Sequence, residues 1–236
     1  HSVLANSRAF ALAGIDASTP DPAGGTFLRD GTGTPSGICE DAAGFQLKAA
    51  IPPDSPADQL KQGRAALAAL REQGITTFMD AAAGEPHLRV FKALRDSGEL
   101  TARVNLAINV DAENANTAPA DEIAKVKALT ALADAGAPAP APGVLARVVK
   151  VFMDGVVNAP ADTGALLTPY LQNTGTDAAP QWAQSNNLGQ LYYTPASLQA
   201  LMLAAVDAGL DMHLHATGDR GVRTVLDAVQ ATRQAD

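Results

Sequence analysis

From residue 55 onward, hydrophobic positions recur in turn at helical spacing and at strand spacing. Ser55 and Pro56 supply an N-cap and a first-turn proline, and apolar residues then follow at helical spacing until Gly74. In residues 102–110 apolar and polar positions alternate one by one, as in a strand with one buried face. The same patterns predict helices over 86–96, 123–132, 194–208 and 219–232, and strands over 75–80, 145–154 and 210–216.

The order of these elements predicts the fold class. Strands separated by helices, with no hairpin signal between them, are typical of an α/β protein with a parallel sheet. The strands of a doubly wound sheet are usually apolar on both faces, whereas Arg103, Asn105, Asn109 and Lys150 interrupt the predicted strands with polar side chains. The interior or mouth of a barrel accommodates such residues. The sequence therefore predicts part of a (β/α)8 TIM-type barrel with about four βα units.

The first 55 residues have a different texture. Proline and glycine interrupt them repeatedly, and only residues 6–13 have the pattern of a short helix. The glycine-rich stretch 31–37 lacks the spacing and the preceding strand of a dinucleotide-binding loop, so a hairpin or loop is the better interpretation. We predict a single incomplete barrel domain over 1–236, with an irregular, loop-rich segment at 1–55, βα units at 56–236 and a long loop at 155–193.

Composition and charge exclude several classes of partner and site. The 236 residues carry 17 basic and 25 acidic side chains, a formal net charge of −8, with no cluster of Lys and Arg. Nucleic acids and anionic membranes bind such clusters, so neither is an expected partner. No apolar run reaches the ~20 residues of a membrane span. The single cysteine, Cys39, excludes an internal disulfide.

The beginning of the sequence bears on its origin. It starts at His1, with neither an initiator Met nor a signal-peptide pattern, which predicts a piece of a longer protein. The compartment stays open: a lone free cysteine favours the cytoplasm, and a secreted parent is the alternative.

Lys150 is the first candidate for chemistry. It lies in the middle of the apolar strand at 145–154, where an unpaired ammonium group costs several kcal/mol to bury. It must therefore pair with a neighbouring Asp or Asn, lose its proton, or be modified. Carboxylation by carbon dioxide would convert it into an anionic oxygen ligand that can bridge two metal ions. Asp154 shares the face of Lys150 near the end of the strand.

His213 and His215 are the second candidates. With the period of two in a strand, both imidazoles lie on one face and Leu214 lies on the other. Two imidazoles placed in this way suit a divalent metal such as zinc. The alternative is a pair of partly buried histidines that hydrogen-bond to backbone carbonyls.

Three further polar residues have local interpretations. Asp219 is placed to cap the last helix. His1 is either part of a site or a frayed terminus. His87, at the start of an amphipathic helix, is predicted to be a solvated surface residue.

Taken in order, several stretches resemble the amidohydrolase superfamily, specifically its exoenzyme-like and N-substituted formamide deformylase-like branch, amidohydrolase family 3. The Lys-x-Phe-x-Asp-Gly and His-Ala-x-Gly-Asp patterns are the most specific, and the resemblance covers nearly the whole chain. The matching stretches are His1-Ser2, Asn6-Ser7-Arg8-Ala9-Phe10-Ala11-Leu12-Ala13-Gly14-Ile15, Gly33-Thr34-Pro35-Ser36-Gly37-Ile38, Gly74-Ile75-Thr76-Thr77, Val149-Lys150-Val151-Phe152-Met153-Asp154-Gly155, Thr168-Pro169-Tyr170 and His215-Ala216-Thr217-Gly218-Asp219-Arg220-Gly221-Val222.

The resemblance implies a metal-dependent hydrolase that acts on a small-molecule substrate and cleaves C–N bonds other than peptide bonds with a metal-activated water. Lys150 matches the fourth-strand lysine, which is often carboxylated in this superfamily, and His215 matches the fifth-strand metal ligand. The implied cofactor is a divalent metal, with zinc favoured, as one or two ions in the intact enzyme. The residues expected to support these ligands or to contact substrate are His213, Asp154, Asp219 and His1.

The chain also departs from the family pattern. The family's first-strand His-x-His lies upstream of His1, and its sixth-strand His and eighth-strand Asp lie beyond Asp236. On this comparison the first strand and the last three strands of the barrel are missing, and no catalytic base is identified. We therefore expect the segment alone to be inactive, and its exposed barrel edges predict a homo-oligomer. The alternative function is a non-catalytic α/β remnant or binding module on the same scaffold.

Overall fold

The structure is a computed structural model that describes residues 2–22, 24–134 and 142–235. In chain order, the strands are β1 (Ser2–Leu4), β2 (Gly25–Arg29), β3 (Pro35–Asp41), β4 (Thr77–Ala83), β5 (Arg103–Asn109), β6 (Gly143–Phe152), β7 (Leu171–Asn173), β8 (Trp182–Gln184) and β9 (Asp211–His215). The helices are α1 (Ser7–Ala13), α2 (Ala42–Lys48), α3 (Pro56–Glu72), α4 (Glu85–Asp96), α5 (Ala112–Thr117), α6 (Pro119–Asp134), α7 (Pro195–Asp207) and α8 (Asp219–Ala235).

Contacts divide the chain into two compact units. One holds the described residues of His1–Pro53 and Gly155–Gln190, and the other holds those of Asp54–Asp154 and Leu191–Asp236. A single domain can contain two such units, so the predicted domain over 1–236 stays a prediction.

The second unit is built on a parallel sheet with the strand order β4-β5-β6-β9. Each neighbouring pair of strands is parallel, and helices lie between successive strands along the chain. This arrangement confirms the predicted α/β class and the partial TIM-type barrel. None of the helices in the described ranges is long and apolar enough to cross a membrane.

The alternation of buried and exposed side chains along β5 shows which face of the sheet packs against the apolar core. Val104, Leu106 and Ile108 of β5 are buried, whereas Arg103 and Asn109 on the other face are exposed. In β6, the same apolar core includes Val144, Ala146, Val149 and Val151. The helices cover this apolar face, and the polar side chains predicted to line a barrel interior share the opposite face.

Local signals in the sequence fix where the helices begin and end. The Ser55 hydroxyl accepts a hydrogen bond from the Asp58 N–H at 3.1 Å, and Thr194 caps α7 in the same way from Ser197 at 3.1 Å. At the end of α3, Gly74 adopts a φ of 72°, and the Ile75 N–H bonds to a carbonyl of the last turn. This closure uses residue 75, so β4 begins at 77 rather than at the predicted 75.

The prediction of an irregular segment over 1–55 is wrong. The first unit contains an antiparallel sheet in the order β1-β3-β2 together with α1 and α2. Many of its glycines and prolines lie at turns between these elements: the Asp30 carboxylate accepts hydrogen bonds from the N–H groups of Thr32 and Thr34, and Gly33 has a φ of 84°. The predicted hairpin or loop at 31–37 is this β2–β3 connection. The long loop predicted at 155–193 contains the β7–β8 hairpin.

Candidate functional site

The two strands that carry the candidate residues lie next to each other. In the parallel pairing of β6 with β9, Lys150 lies opposite His213 and Phe152 lies opposite His215. Side chains at paired positions of neighbouring strands point to the same face of a sheet. The fold therefore brings Lys150, His213 and His215 together on one face, towards the carboxyl ends of the strands, where barrel enzymes hold their sites.

Lys150 is almost completely buried, with 4% of its surface exposed. Its Nζ lies 4.4 Å from the centroid of the Phe152 ring, a cation–π distance. Among the described residues, no carboxylate or amide forms an ion pair or hydrogen bond with this ammonium group, so the predicted pairing with a neighbouring Asp or Asn is not formed there. Burial lowers the pKa of Lys150 below its usual value, because desolvation disfavours the charged form.

The two histidines have different surroundings. His213 is half-buried, and its Nδ1 atom is fully buried without a hydrogen-bond partner. Its pKa is lowered by burial and by the neighbouring charges of Lys150 and His215. His215 places Nε2 3.6 Å from Oδ1 of Asp154 and packs its ring 5.2 Å from the ring of Phe152.

Asp154 connects the end of β6 to the turn after β9. Its side chain is fully buried and accepts hydrogen bonds from the backbone N–H groups of Thr217 at 3.0 Å and Gly218 at 2.8 Å. Gly221, in the first turn of α8, packs so closely that a Cβ there would lie 2.7 Å from Asp154 Oδ2. Both carboxylate oxygens are therefore engaged, and the observed role of Asp154 is to hold the segment that carries His215.

The remaining candidates lie elsewhere or differ in role. The Val222 N–H bonds to the Gly218 carbonyl, so Gly218 takes the capping position and Asp219 is the first helical residue. The predicted N-cap at Asp219 is thus wrong by one residue, because the tight turn after His215 starts the helix earlier. His87 is exposed, as predicted, and its Nδ1 accepts a hydrogen bond from the Gly84 N–H at 3.0 Å. His1 lies outside the described residues.

These donors suit a divalent ion in kind but are too few to enclose one. Imidazole nitrogen suits zinc, and the unpartnered Nδ1 of His213 is a free lone pair or donor beside the candidate ligands. A hydrolytic zinc site has three protein ligands and a water. In the described part of the chain, no group of three or more His, Cys, Asp or Glu side chains is arranged to hold a metal. The residues present can supply part of a ligand set.

Sequence reasoning missed three contributors to this region. Phe152 contacts both Lys150 and His215, and its position between Lys150 and Asp154 in the strand period was the available signal. Gly218 contributes its backbone N–H, a group that nearly every residue has. Gly221 contributes by having no side chain, which allows its close contact with Asp154. Contacts of that kind leave little trace in the sequence.

The chain is similar to known proteins along its whole length. The sequence profile described as the Amidohydrolase family matches residues 1–236. The exoenzymes regulatory protein AepA of Pectobacterium carotovorum subsp. carotovorum is 26% identical over 239 residues, covering 99% of this chain and 46% of AepA. YtcJ of Bacillus subtilis (strain 168) is 24% identical over 241 residues, covering 98% of this chain and 39% of YtcJ. The chain thus spans less than half the length of these relatives.

Two crystal structures have a similar fold. An uncharacterized metal-dependent hydrolase from Pyrococcus horikoshii OT3 superposes with a TM-score of 0.63 at 20% identity, covering 98% of this chain and 40% of that one. An uncharacterized metal-dependent hydrolase from Pyrococcus furiosus gives 0.63 at 19% identity, covering 99% and 42%. At this identity the likeness shows the fold, and the family follows from the sequence match. On that match, the chain belongs to the amidohydrolase family.

Proposed function

We propose that this chain is a segment of a metal-dependent hydrolase that cleaves amide-type C–N bonds of a small molecule. The observation that carries the proposal is the placement of Lys150 and His215 on one face of adjacent parallel strands in a member of the amidohydrolase family. Family membership alone leaves the reaction open, since one fold supports many activities. The proposal therefore depends on this site.

Lys150 and His215 would hold the metal, which we propose to be zinc, together with ligands from other parts of a longer protein. When bound, such an ion lowers the pKa of water and polarises a carbonyl group. Carboxylation of Lys150 would replace its buried positive charge with an anionic oxygen donor, which removes the cost of burying an unpaired ammonium group. Asp154 would keep His215 in place, because its carboxylate fixes the turn after β9 through two backbone N–H groups.

We further propose that the 236-residue segment does not hydrolyse substrate by itself. Among the described residues, only Lys150 and His215 are proposed as metal ligands, and no group of three or more His, Cys, Asp or Glu side chains is arranged to hold a metal. A hydrolytic zinc site needs three protein ligands. The proposal is compatible with a folded segment, since the parallel sheet has its own apolar core.

The edges of the sheet support a proposal about association. In the described residues, β4 pairs with β5 alone and β9 pairs with β6 alone, which leaves one edge of each open. Open edges invite pairing with another chain, so we propose that the separate segment forms a homo-oligomer through them. Light scattering tests this: a dimer or larger species is expected, and a monomer at high concentration contradicts it.

The proposed reaction is tested with a longer form of the protein and a panel of N-acyl and N-formyl amines. The readout is release of the amine. The wild type is expected to release amine, and Lys150→Ala and His215→Ala to lose at least about 100-fold in rate, because each removes a ligand. His87→Ala, on the exposed start of α4, is the matched control and is expected to keep full activity. Equal rates in the wild type and both ligand variants would contradict the proposal, and a longer protein that binds substrates without turnover would favour a non-catalytic scaffold.

A further inference from the structure

A cavity of about 430 Å³ lies between α3, α4 and the helix-covered face of β4. The strand supplies Phe78 and Asp80, which pair in the parallel sheet with the buried residues Val104 and Leu106 of β5. This is the face opposite the one that carries Lys150. Pockets for small molecules have volumes of about 300–1,000 Å³, so the cavity is large enough for a ligand of this class.

Apolar side chains form most of the wall of this cavity. The rings of Phe78 and Phe91 meet edge to face with their centroids 5.7 Å apart, and Ala66 and Val90 add aliphatic surface from the two helices. The helices approach closely at Gly63, where a Cβ would lie 2.5 Å from Val90 Cγ1. The wall therefore suits an apolar body, and its aromatic rings also attract a cation.

Two carboxylates interrupt the apolar wall. Asp54 and Asp80 line the cavity, and none of the described residues that line it is Lys or Arg. Asp54 Oδ2 accepts a hydrogen bond from Gln62 Nε2 at 2.9 Å, and Asp80 Oδ1 accepts one from the Ala82 N–H at 3.2 Å. In the described part of the chain, neither carboxylate has an ion-pair partner. Each keeps a second oxygen that can accept a hydrogen bond from a ligand.

The histidine in the wall does not supply the missing positive charge. His87 accepts a hydrogen bond from the Gly84 N–H with Nδ1 at 3.0 Å, which requires a ring nitrogen without a proton. Its side chain is exposed and closes the first turn of α4. The cavity thus combines an apolar wall with negative charge, and the ligand that complements both is a cation with an apolar body.

We propose that this cavity binds a small organic ammonium ion, with the ammonium group at Asp80 and Asp54 and the apolar body against Phe78 and Phe91. An inorganic cation would leave the apolar wall unused, and a neutral apolar molecule would leave two carboxylates without a partner of opposite charge. An amine with an aromatic body satisfies both parts of the wall. The assignment is independent of the proposed hydrolysis, since its test uses neither turnover nor a metal.

The probe is benzylammonium chloride, titrated into the full 236-residue chain near neutral pH and followed by ¹H–¹⁵N NMR. Saturable shifts are expected at the residues around the cavity. Benzyl alcohol, which has the same size and no charge, is expected to bind at least about tenfold more weakly, because it lacks the charge-assisted hydrogen bonds. Equal affinity for the two probes would overturn the inference, as would the absence of a saturable shift with benzylammonium.

One pair of variants tests the charge of the site. Asp80→Asn keeps the shape of the side chain and removes its charge, so it is expected to weaken benzylammonium binding at least about fivefold. It is expected to leave the weaker binding of benzyl alcohol unchanged. Asp227→Asn, on the exposed surface of α8, removes the same charge away from the cavity and is expected to bind both probes as the wild type does. An equal effect of the two substitutions on benzylammonium would contradict the assignment of Asp80.

A second pair of variants tests the location and keeps the inference falsifiable if Asp80→Asn does not fold. Ala66→Phe places a ring in the cavity and is expected to abolish binding. Ala65→Phe, exposed on the same helix and outside the cavity, is the matched control and is expected to keep wild-type affinity. Wild-type affinity in Ala66→Phe would overturn the inference. It would also be overturned by an oligomer that binds no probe and dissociates in Ala66→Phe alone, a result that would assign the cavity to a second copy of the chain.

Discussion

The carboxylate of Asp154 accepts a hydrogen bond from the backbone N–H of Gly218 at 2.8 Å, across 64 residues of chain. With a second bond from the Thr217 N–H at 3.0 Å, it connects the end of β6 to the start of α8. Lys150 lies on β6 and His215 at the end of β9, so this buried contact fixes the relative position of the two candidate ligands.

Asp154→Ala is expected to lower the free energy of unfolding by about 2–4 kcal/mol, because two buried N–H groups lose a charged acceptor. Urea denaturation of the wild type and the variant measures the difference. Asp227→Ala, an exposed aspartate within α8, is the matched control and should change stability by less than about 0.5 kcal/mol. A similar small change in both variants would show that the Asp154 contacts contribute little.

Gly221→Ala tests how tightly α8 packs on Asp154. Alanine inside a helix is normally more stable than glycine by about 1 kcal/mol, but here the added Cβ would lie 2.7 Å from Asp154 Oδ2. We therefore expect the opposite sign, a loss of about 1–3 kcal/mol in unfolding free energy. Gly31→Ala, where a Cβ meets nothing within 4 Å, serves as the control. A stabilised Gly221→Ala variant would contradict the close packing.

The elements from residue 55 onward were predictable because their signals are local. Ser55 and Thr194 cap helices with their own side chains. The alternation of apolar and polar residues in β5 indicates a sheet with one face buried in the core. The sheet of the first unit was missed because its strands are short and are joined by turns built from glycine and proline. The pairing of Ser2 with Glu40 depends on contacts 38 residues apart, which periodicity does not reveal.

The candidate site was predictable in part. The strand period placed His213 and His215 on one face and Lys150 on the face of Asp154, but the register that puts Lys150 opposite His213 is a property of the folded sheet. The backbone donors to Asp154 and the orphaned Nδ1 of His213 likewise emerge only from the three-dimensional arrangement.

Cys39 gives a prediction for alkaline pH. It is fully buried, and desolvation, followed by the charge of Glu40, raises the pKa of its thiol above the usual value. As pH rises past about 8.5, the unfolded thiol ionises first, so the stability that the folded thiol contributes is lost between the unfolded and folded pKa values. Between pH 7 and pH 10 we expect the wild type to lose more unfolding free energy than Cys39→Ala. Parallel losses in the two proteins would contradict the raised pKa.

The ion pair between Arg64 and Glu99 gives a prediction for acid pH. Hydrogen bonds from Arg64, and a further one from Ser97, lower the pKa of Glu99 to about 2. Its contribution to stability is therefore present above the unfolded pKa and is lost as pH falls towards 2. In an NMR titration of the Glu99 carboxyl group, Arg64→Ala should return the pKa towards its ordinary value of about 4.3. Arg71→Ala, on the same helix, should leave it unchanged, and a Glu99 pKa that ignores both substitutions would show that the pair does not form in solution.

The most direct test of the account is the metal content of a longer form of the protein after dialysis against metal-free buffer, measured by elemental analysis. We expect the wild type and His87→Ala to retain zinc, Lys150→Ala and His215→Ala to lose most of it, and the 236-residue segment to retain little. Full retention of zinc in both Lys150→Ala and His215→Ala would contradict the claim that these two residues hold the metal.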